Sequence, residues 1–479
     1  MTDVLLTDAR LPGSDTVTRL YLCDGVIADA SQAPASAQRV SLEGRWVMPG
    51  LWDQHVHFTQ WAIVRRRLDL SSATSAAFAA QIVAARLLAE LDVPEPLIGN
   101  GYRDALWEDE PTAELLDAVS PERPVILLSG DLHAVWVNTA ARYRYGLPHA
   151  GVLREGDAFG LQMRLDQEAP GDEDVAISEA AAEAAALGIV GIVDLEMARN
   201  LHGWTRRMTH GLQAFRVRSG FYPDEFDERL DMGLRGGDVI PDTEGMLTVG
   251  PLKIITDGSL NTRTAYCHEP YATGGHGVLT FTPEATTGLL ARAVAEGFDV
   301  AVHAIGDAAV THALDSFATT GARGTIEHAQ LVRDEDLARF AALGVTASMQ
   351  PEHLWDDRDA SEKIWPGRTG RSFPFAGLRD AGARIVLGSD APVSPLNPWR
   401  AIAAAEHRSA DEREPWHPEQ SLTRAQALAA STDGRSLAAG EPADVVALDR
   451  DPLTCPTDEL LDMPVAATLV GGRFTHWAI

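Results

Sequence analysis

Cysteine and long apolar runs are scarce in this chain of 479 residues, and each scarcity excludes a class of protein. The three cysteines, Cys23, Cys267 and Cys455, are too far apart in the sequence to predict a disulfide framework or a CxxC zinc site. No run of about 18 apolar residues occurs, and no basic segment followed by an apolar one opens the chain. We therefore interpret the protein as cytoplasmic, without a membrane partner.

Positive charge is also scarce, because 40 basic residues face 69 acidic ones and leave a net charge of -29. This excess of negative charge opposes binding to nucleic acid and favours solubility, so a small molecule is the expected partner. Lysine is the rarest basic residue: only Lys253 and Lys363 occur, and the other basic residues are arginines. With 45% hydrophobic residues, the chain is long enough for one large core and a smaller domain.

The middle of the chain alternates short apolar segments with alanine-rich helical ones. This alternation is typical of repeated βα units around a parallel sheet. Eight such strands predict an α/β fold of the (β/α)8, or TIM barrel, type. The candidate strands are residues 46–57, 189–196, 213–220, 252–257, 299–305, 324–328, 345–350 and 384–390.

The sequence pattern of both chain ends differs from that of the middle, because short β-like segments there are interrupted by Gly and Pro. We predict that residues 1–48 and 436–479 form one composite β-sandwich domain, and that residues 49–435 form the catalytic barrel. The long gap between the first two barrel strands predicts an insertion at about residues 70–176, with a strand at 124–129. Such an insertion usually forms a lid or a pocket wall.

Polar residues at the ends of the predicted barrel strands form a set of metal-ligand types. His55 and His57 share one face of a strand because side chains at i and i+2 point the same way. Active sites of TIM barrels lie at the carboxyl ends of the strands, where His303, His328 and Asp390 are also found. Any one of these has an ordinary structural interpretation, as a core histidine or a turn residue. Five on one rim favour a site for a borderline divalent metal.

Lys253 lies in the predicted strand 252–257, where it either points into the barrel or sits among apolar neighbours. One interpretation is a buried ion pair, but arginine suits that role better, and this chain uses arginine almost everywhere. The other is a neutral amine that reacts with carbon dioxide to give a carbamate able to bridge two metal ions. Burial and nearby metal charge lower a lysine pKa enough for this reaction.

These residues lie within motifs that resemble the amidohydrolase superfamily, and most closely its YtcJ-like branch, which includes N-substituted formamide deformylase. The resemblance covers nearly the whole chain, and the combination of motifs is highly specific. The motifs are residues 49–57 (PGLWDQHVH), Lys253 with 257–260 (DGSL), 302–307 (VHAIGD), 326–328 (IEH), 350–351 (QP) and 388–393 (GSDAPV).

The resemblance implies a metal-dependent hydrolase that cuts a C–N bond of an amide or formamide. Asp390 would take the proton from the attacking water, which two metal ions activate to hydroxide by lowering its pKa to about 7. Two zinc ions per chain are the expectation, although such a site also takes manganese, iron or cobalt. The implied ligands are His55, His57 and Asp390 for one ion, His303 and His328 for the other, and carbamylated Lys253 as the bridge.

Segments 130–138 and 259–264 are similar to the family's substrate wall. His133, Asn138 and Arg263 are therefore candidate substrate contacts, and a hydrogen-bonded loop network is the structural alternative. The family resemblance also favours a homodimer. Substrate and metal identity stay open, because one fold serves many substrates.

Three other functions stay open as alternatives. A deaminase would use a single metal ion, and a lactonase or phosphotriesterase would use the same binuclear site. A barrel kept as a non-catalytic scaffold is the third, although such a chain commonly loses its metal ligands.

Overall fold

The computed structural model describes residues 3–90, 93–167, 173–197 and 199–479, which form three sheets and the helices around them. Helices and strands are numbered along the chain. The helices are α1 (Phe58–Val64), α2 (Ala76–Ala89), α3 (Ala113–Val119), α4 (Thr139–Tyr145), α5 (Gly156–Gln167), α6 (Glu173–Ala186), α7 (Asn200–Thr209), α8 (Phe226–Asp231), α9 (Pro283–Glu296), α10 (Asp307–Thr320), α11 (Asp334–Leu343), α12 (His353–Ile364), α13 (Phe375–Asp380), α14 (Pro398–His407), α15 (Arg424–Ala430) and α16 (Thr457–Leu461).

The central sheet consists of eight parallel strands, as the sequence predicts. Neighbours in the sheet follow one another in the chain, and each carries a buried apolar run because helices cover its outer face. The strands, in order around the barrel, are β6 (Leu51–Val56), β12 (Ile189–Asp194), β13 (Arg216–Phe221), β14 (Leu247–Ile255), β15 (Val300–Ala304), β16 (Gly324–His328), β17 (Thr346–Met349) and β18 (Ile385–Leu387).

The barrel closes between its first and last strands just beyond their carboxyl ends. A parallel bridge joins Val56 to Ala391. The Asp390 amide donates to the His55 carbonyl at 2.7 Å, and the His57 amide donates to the Ala391 carbonyl at 2.8 Å. Closure therefore joins the two chain segments that carry three of the predicted metal ligands.

The predicted first strand, 46–57, is wrong in one respect: it is two strands in two different sheets. Its first half pairs with a strand from the C-terminal end of the chain, and its second half pairs with β12. The chain changes sheets at Gly50, where a Cβ atom would lie 2.1 Å from Val190 Cγ1. Only glycine permits this approach.

Both chain ends meet in one separate sheet, which confirms the predicted pairing of the termini. We refer to this sheet as the terminal sheet. Its strands are β1 (Val4–Arg10), β2 (Val17–Cys23), β3 (Val26–Ala28), β4 (Gln38–Ser41), β5 (Trp46–Pro49), β19 (Val445–Leu448), β20 (Val465–Val470) and β21 (Arg473–Trp477).

The segment between β6 and β12 contains a five-stranded sheet, with a strand close to the predicted 124–129. Successive residues of this strand, 125–129, pack into two different cores. Val125 and Leu127 pack with α2 and α3, and Ile126 and Leu128 pack with α4 and α5. The sheet thus has helices on both faces. Its strands are β7 (Leu68–Asp69), β8 (Leu97–Tyr102), β9 (Val125–Ser129), β10 (Ala134–Val137) and β11 (Gly151–Arg154).

Local sequence signals fix the ends of several barrel helices. The Thr282 side chain caps the first turn of α9, Pro283 occupies its first position, and Gly297 ends it in the left-handed region. Thr423 and Gln426 form a capping box at the start of α15. In the part of the chain that the structure describes, no helix has the length and apolar content that a membrane span requires.

Candidate metal centre

His55, His57 and Asp390 converge at the carboxyl end of the barrel. The Nε2 atoms of His55 and His57 lie 3.3 and 3.4 Å from Asp390 Oδ1, and one ligand atom from each residue lies within 4.8 Å of the others. His55 is the penultimate residue of the buried strand β6, and His57 precedes α1. The i and i+2 spacing therefore presents both imidazoles to one point, as the sequence predicts.

Asp390 reaches this point because β18 approaches β6 unusually closely. A Cβ atom on Gly388 would lie 2.6 Å from the His55 amide nitrogen, so the contact requires glycine. Asp53 fastens the same junction from inside, since its Oδ1 accepts hydrogen bonds of 3.0 Å from the amides of His55 and Ser389. Burial raises the pKa of Asp53 to about 7. Asp53 belongs to the sequence motif 49–57, but its role in holding this junction is apparent only from the approach of β18 to β6.

A second group of possible ligands consists of His328, His353 and Asp390. His353 Nε2 lies 3.8 Å from Asp390 Oδ2, and the His328 and His353 rings stack at 5.9 Å. His303 is close, with its ring 4.5 Å from that of His328, but its Nε2 lies 3.5 Å from Asp257 Oδ1. His353 is not among the ligands that the sequence predicts. The only local signal is its position two residues after the Gln-Pro motif, at the first turn of α12.

Lys253 lies among these residues and is almost completely buried. Its Nζ atom is 3.3 Å from His55 Nε2. No carboxylate oxygen of the described residues lies within 4.0 Å of this amine, so the structure contains no ion pair of the kind that the sequence left open. Burial lowers the pKa of Lys253, although the Glu327 and Asp390 carboxylates oppose this. A neutral amine is the form that carbon dioxide requires.

Burial and mutual repulsion lower the pKa of most of these histidines, whereas the pKa of His57 is raised because its interaction with Asp390 outweighs burial. Burial lowers the pKa of His303 and that of His328 well below the usual value, and the positive charge of Lys253 adds to the effect at both. The neighbours of Asp390 outweigh burial in setting its pKa. Burial raises this pKa, but His55 and His57 hold it well below its usual range. Neutral imidazoles around an ionised carboxylate are the donor set that divalent metal ions bind.

The hydrogen bonds of His55 show why a cation fits here. Its Nδ1 atom lies 2.7 Å from Glu327 Oε2, which assigns the ring proton to Nδ1 and leaves a lone pair on Nε2. That lone pair accepts from Lys253 Nζ at 3.3 Å and also lies 3.3 Å from the acceptor Asp390 Oδ1, an approach of two acceptors that a bound cation would stabilise. In the described part of the chain, buried His57 Nδ1, His328 Nδ1 and His353 Nε2 have no hydrogen-bond partner.

A cavity of about 160 Å³ opens from this cluster. One end is lined by the histidines, Lys253 and Asp390. The described residues before β12 supply Arg103, Asp131, His133 and Phe159 to its walls, which agrees with the predicted role of an insertion as a pocket wall.

Comparison with known proteins agrees with this site. The profile described as "Amidohydrolase family" matches residues 38–476. The chain belongs to the amidohydrolase family. The resemblance that the sequence motifs indicate is therefore confirmed.

Individual relatives place this amidohydrolase in the YtcJ-like branch. It is 25% identical to "Putative amidohydrolase YtcJ" of Bacillus subtilis, over 97% of each chain. It is 24% identical to "N-substituted formamide deformylase" of Arthrobacter pascens, over 92% of this chain and 90% of that one. It is also 28% identical to "Protein LONG AFTER FAR-RED 3" of Arabidopsis thaliana, over 98% and 90%.

Among solved structures, an uncharacterized metal-dependent hydrolase from Pyrococcus horikoshii has a TM-score of 0.79 and 25% identity. The match covers 95% of this amidohydrolase and 99% of that chain. The similarity thus extends over the barrel and the terminal sheet together.

Of the three candidate substrate contacts, His133 lies in the cavity of the amidohydrolase. Its Nδ1 atom is 2.9 Å from Glu155 Oε2, and its ring centre is 6.2 Å from that of His303. Asp131 supports it by accepting from the His133 amide at 3.2 Å and from the Ser259 hydroxyl at 2.7 Å. The partner Glu155 directly follows β11, and it is not among the site residues that the sequence predicts.

Asn138 and Arg263 lie outside the cavity lining. Asn138 is fully buried, and its Oδ1 accepts from the amides of Val125 at 3.0 Å and Ala141 at 2.9 Å. It therefore caps α4 and ties that helix to β9. Arg263 is exposed in a turn with φ of 57°. The structure thus shows the loop-network alternative for Asn138, and it places the Arg263 side chain on the surface.

Proposed function

We propose that this amidohydrolase is a divalent-metal-dependent hydrolase that cleaves the C–N bond of an amide or formamide in a small molecule. The observation that carries the proposal is the buried Lys253 amine 3.3 Å from His55 Nε2, beside the point where His57 and Asp390 also converge. A neutral lysine among metal-ligand types suits a bridging carbamate. The deformylase relative supports the choice of a C–N bond.

His55, His57 and Asp390 would hold the first ion. His303 and His328 would hold the second, for which His353 is a further candidate ligand. Carbamylated Lys253 would bridge the two: its neutral Nζ adds to the carbon of carbon dioxide and loses a proton, which leaves an anionic carbamate. Zinc suits this histidine-rich set.

When bound, the metal centre supplies a water of lowered pKa and polarises the scissile carbonyl. The protein's own residues supply the proton transfers and the orientation. Asp390 Oδ2 points away from the His55–His57 pair, toward His353, where it can accept the proton of the attacking water and return it to the leaving nitrogen. His133, held by Glu155, would orient the substrate at the cavity wall.

One observation favours a second candidate, a deaminase with a single metal ion. His303 Nε2 lies near Asp257 Oδ1 and the Gly258 carbonyl, both at 3.5 Å, so its ring is engaged away from the first group. A site of His55, His57 and Asp390 alone would then hold one ion.

A substrate panel on the zinc-loaded full-length protein tests the proposal. The panel contains N-alkylformamides, N-alkylacetamides, a γ-lactone, a phosphotriester and an aminopyrimidine. We expect equimolar formate and amine from the formamides, or acetate and amine from the acetamides. Release of ammonia from the aminopyrimidine alone would favour the deaminase. Turnover of the lactone or phosphotriester alone would move the assignment to those bond classes.

A further inference from the structure

One wall of the cavity is a face of α12. His353, Asp356, Asp357 and Ala360 all line the cavity, and offsets of three, four and seven residues place them on one side of the helix. His353 marks the metal-ligand end, since its Nε2 lies 3.8 Å from Asp390 Oδ2. Asp357 is one turn further along, about 6 Å from His353 measured on the helix axis.

Asp357 has a neutral hydrogen-bond partner and forms no ion pair with the other described residues. Its Oδ2 accepts a hydrogen bond of 2.8 Å from the side-chain amide of Gln330, which is neutral. Arg103 lines the same cavity but pairs with Asp356 at 2.6 Å. Among the described residues, no nitrogen of an arginine, lysine or histidine lies within 4.0 Å of the Asp357 carboxylate.

An ionised carboxylate at this position is unfavourable when no ligand is bound. Burial raises the pKa of Asp357 to about 7 and the charge of Asp356 adds to this rise, while the Gln330 hydrogen bond and the more distant charge of Arg103 oppose it. The nearby Asp131 carboxylate has more hydrogen-bond donors around it, because Ser129, Ser259 and the His133 amide all donate to it. A ligand that brings positive charge and N–H donors removes the cost at Asp357.

Apolar side chains make up much of the remaining cavity lining. They include Leu132, Phe159, Leu260 and Ile305. A ligand that spans from the metal-ligand end to Asp357 therefore needs a short apolar linker between two polar ends.

We propose that the substrate carries a cationic amine at the end remote from the scissile bond, and that Asp357 is the specificity residue that pairs with this amine. The substrate class is thus an N-substituted amide or formamide with an ammonium group about one helical turn from its carbonyl. Placing the scissile bond at the metal-ligand end rests on the proposed function. The pairing of a cation with Asp357 does not.

The test measures binding without turnover, so that its failure is distinct from failure of the proposed hydrolysis. The probes are N-(4-aminobutyl)methanesulfonamide and N-pentylmethanesulfonamide, which resist hydrolysis and differ by one terminal ammonium in place of a methyl. Calorimetric titration of the zinc-loaded full-length protein gives a dissociation constant for each. We expect the ammonium probe to bind about tenfold more tightly or better, as a charge-assisted hydrogen bond implies.

Asp357→Asn keeps the shape and the bond from Gln330, and we expect it to bring the ratio of the two affinities close to one. Asp357→Glu keeps the charge and should retain the preference. Asp359→Asn is the matched control, because Asp359 is on the same helix but pairs with Arg413 at 2.9 Å on the exposed surface. A ratio near one in the unsubstituted protein, or an unchanged ratio in Asp357→Asn, would overturn the proposal.

Discussion

The Nδ1 atom of His55 lies 2.7 Å from Oε2 of Glu327, and both side chains are buried. Burial raises the pKa of Glu327, but its electrostatic interaction and hydrogen bond with His55 together hold it below its usual value. The pair fixes the tautomer in which Nε2 faces the candidate metal site.

Glu327→Gln should therefore weaken metal binding without abolishing it. A carboxylate that holds a ligating histidine typically contributes about 10–100-fold to metal affinity, and we expect a loss in that range. Competition with a chromogenic chelator measures it. Glu335→Gln, on exposed α11, is the control and should bind metal normally. Equal affinities in the two variants would show that Glu327 does not position His55.

Asp390→Ala should lower turnover of a confirmed substrate by about 10²–10⁴-fold, the usual contribution of a positioned acid–base group. Metal content is measured on the same sample, since Asp390 also belongs to the ligand set. Asp380→Ala, exposed and paired with Arg379, should leave turnover unchanged. Full activity in Asp390→Ala would contradict the proposed mechanism.

Gly388→Ala should separate β18 from β6 and disturb the metal centre. The new Cβ would lie 2.6 Å from the His55 amide, and overpacking of this kind costs about 1–3 kcal/mol. We expect a lower thermal midpoint together with weaker zinc binding. Gly288→Ala, in α9 with open space around its Cβ position, should instead stabilise the protein by about 0.5–1 kcal/mol. Normal zinc affinity in Gly388→Ala would refute the close-approach argument.

Asn138→Ala should lower stability but not substrate affinity. The substitution removes a helix cap and leaves buried backbone groups unpaired, which together cost about 1–3 kcal/mol. His133→Asn is the comparison, because it should raise KM about tenfold while changing the thermal midpoint less. A raised KM with unchanged stability in Asn138→Ala would restore Asn138 as a substrate contact.

The barrel could be predicted because buried parallel strands and amphipathic helices leave local patterns that recur along the chain. The sheet change at Gly50 could not, because the apolar run of residues 46–52 continues across it and the contact with Val190 is known only after folding. Hydrophobic periodicity predicts which residues are buried, but it does not predict which sheet a strand joins.

The candidate site likewise has one part that the sequence predicts and another part that it does not predict. Six of the candidate ligands lie near the carboxyl ends of strands of one barrel, and strand ends can be predicted from sequence. They are His55, His57, Lys253, His303, His328 and Asp390. His353 lies on a helix, so its approach to Asp390 depends on how α12 packs. Asn138 has the residue type of a substrate contact, yet its burial and its four backbone partners are properties of the fold.

The proposed binuclear site requires Lys253 to become the bridging ligand of two metal ions, and the low lysine content of the chain makes a direct measurement possible. The protein is expressed with zinc and ¹³C-bicarbonate, and metal content and the carbamate carbon resonance are recorded for three forms. They are the unsubstituted protein, Lys253→Ala and Lys363→Ala. Lys363 is the only other lysine, and its Nζ donates to the Ala105 carbonyl at 3.1 Å.

We predict about two zinc ions and one carbamate resonance per chain in the unsubstituted protein and in Lys363→Ala. In Lys253→Ala the resonance and at least one ion should be lost. One zinc ion per chain in all three forms, with no carbamate signal, would contradict the binuclear account and favour the single-metal deaminase. Absence of bound metal would favour a scaffold.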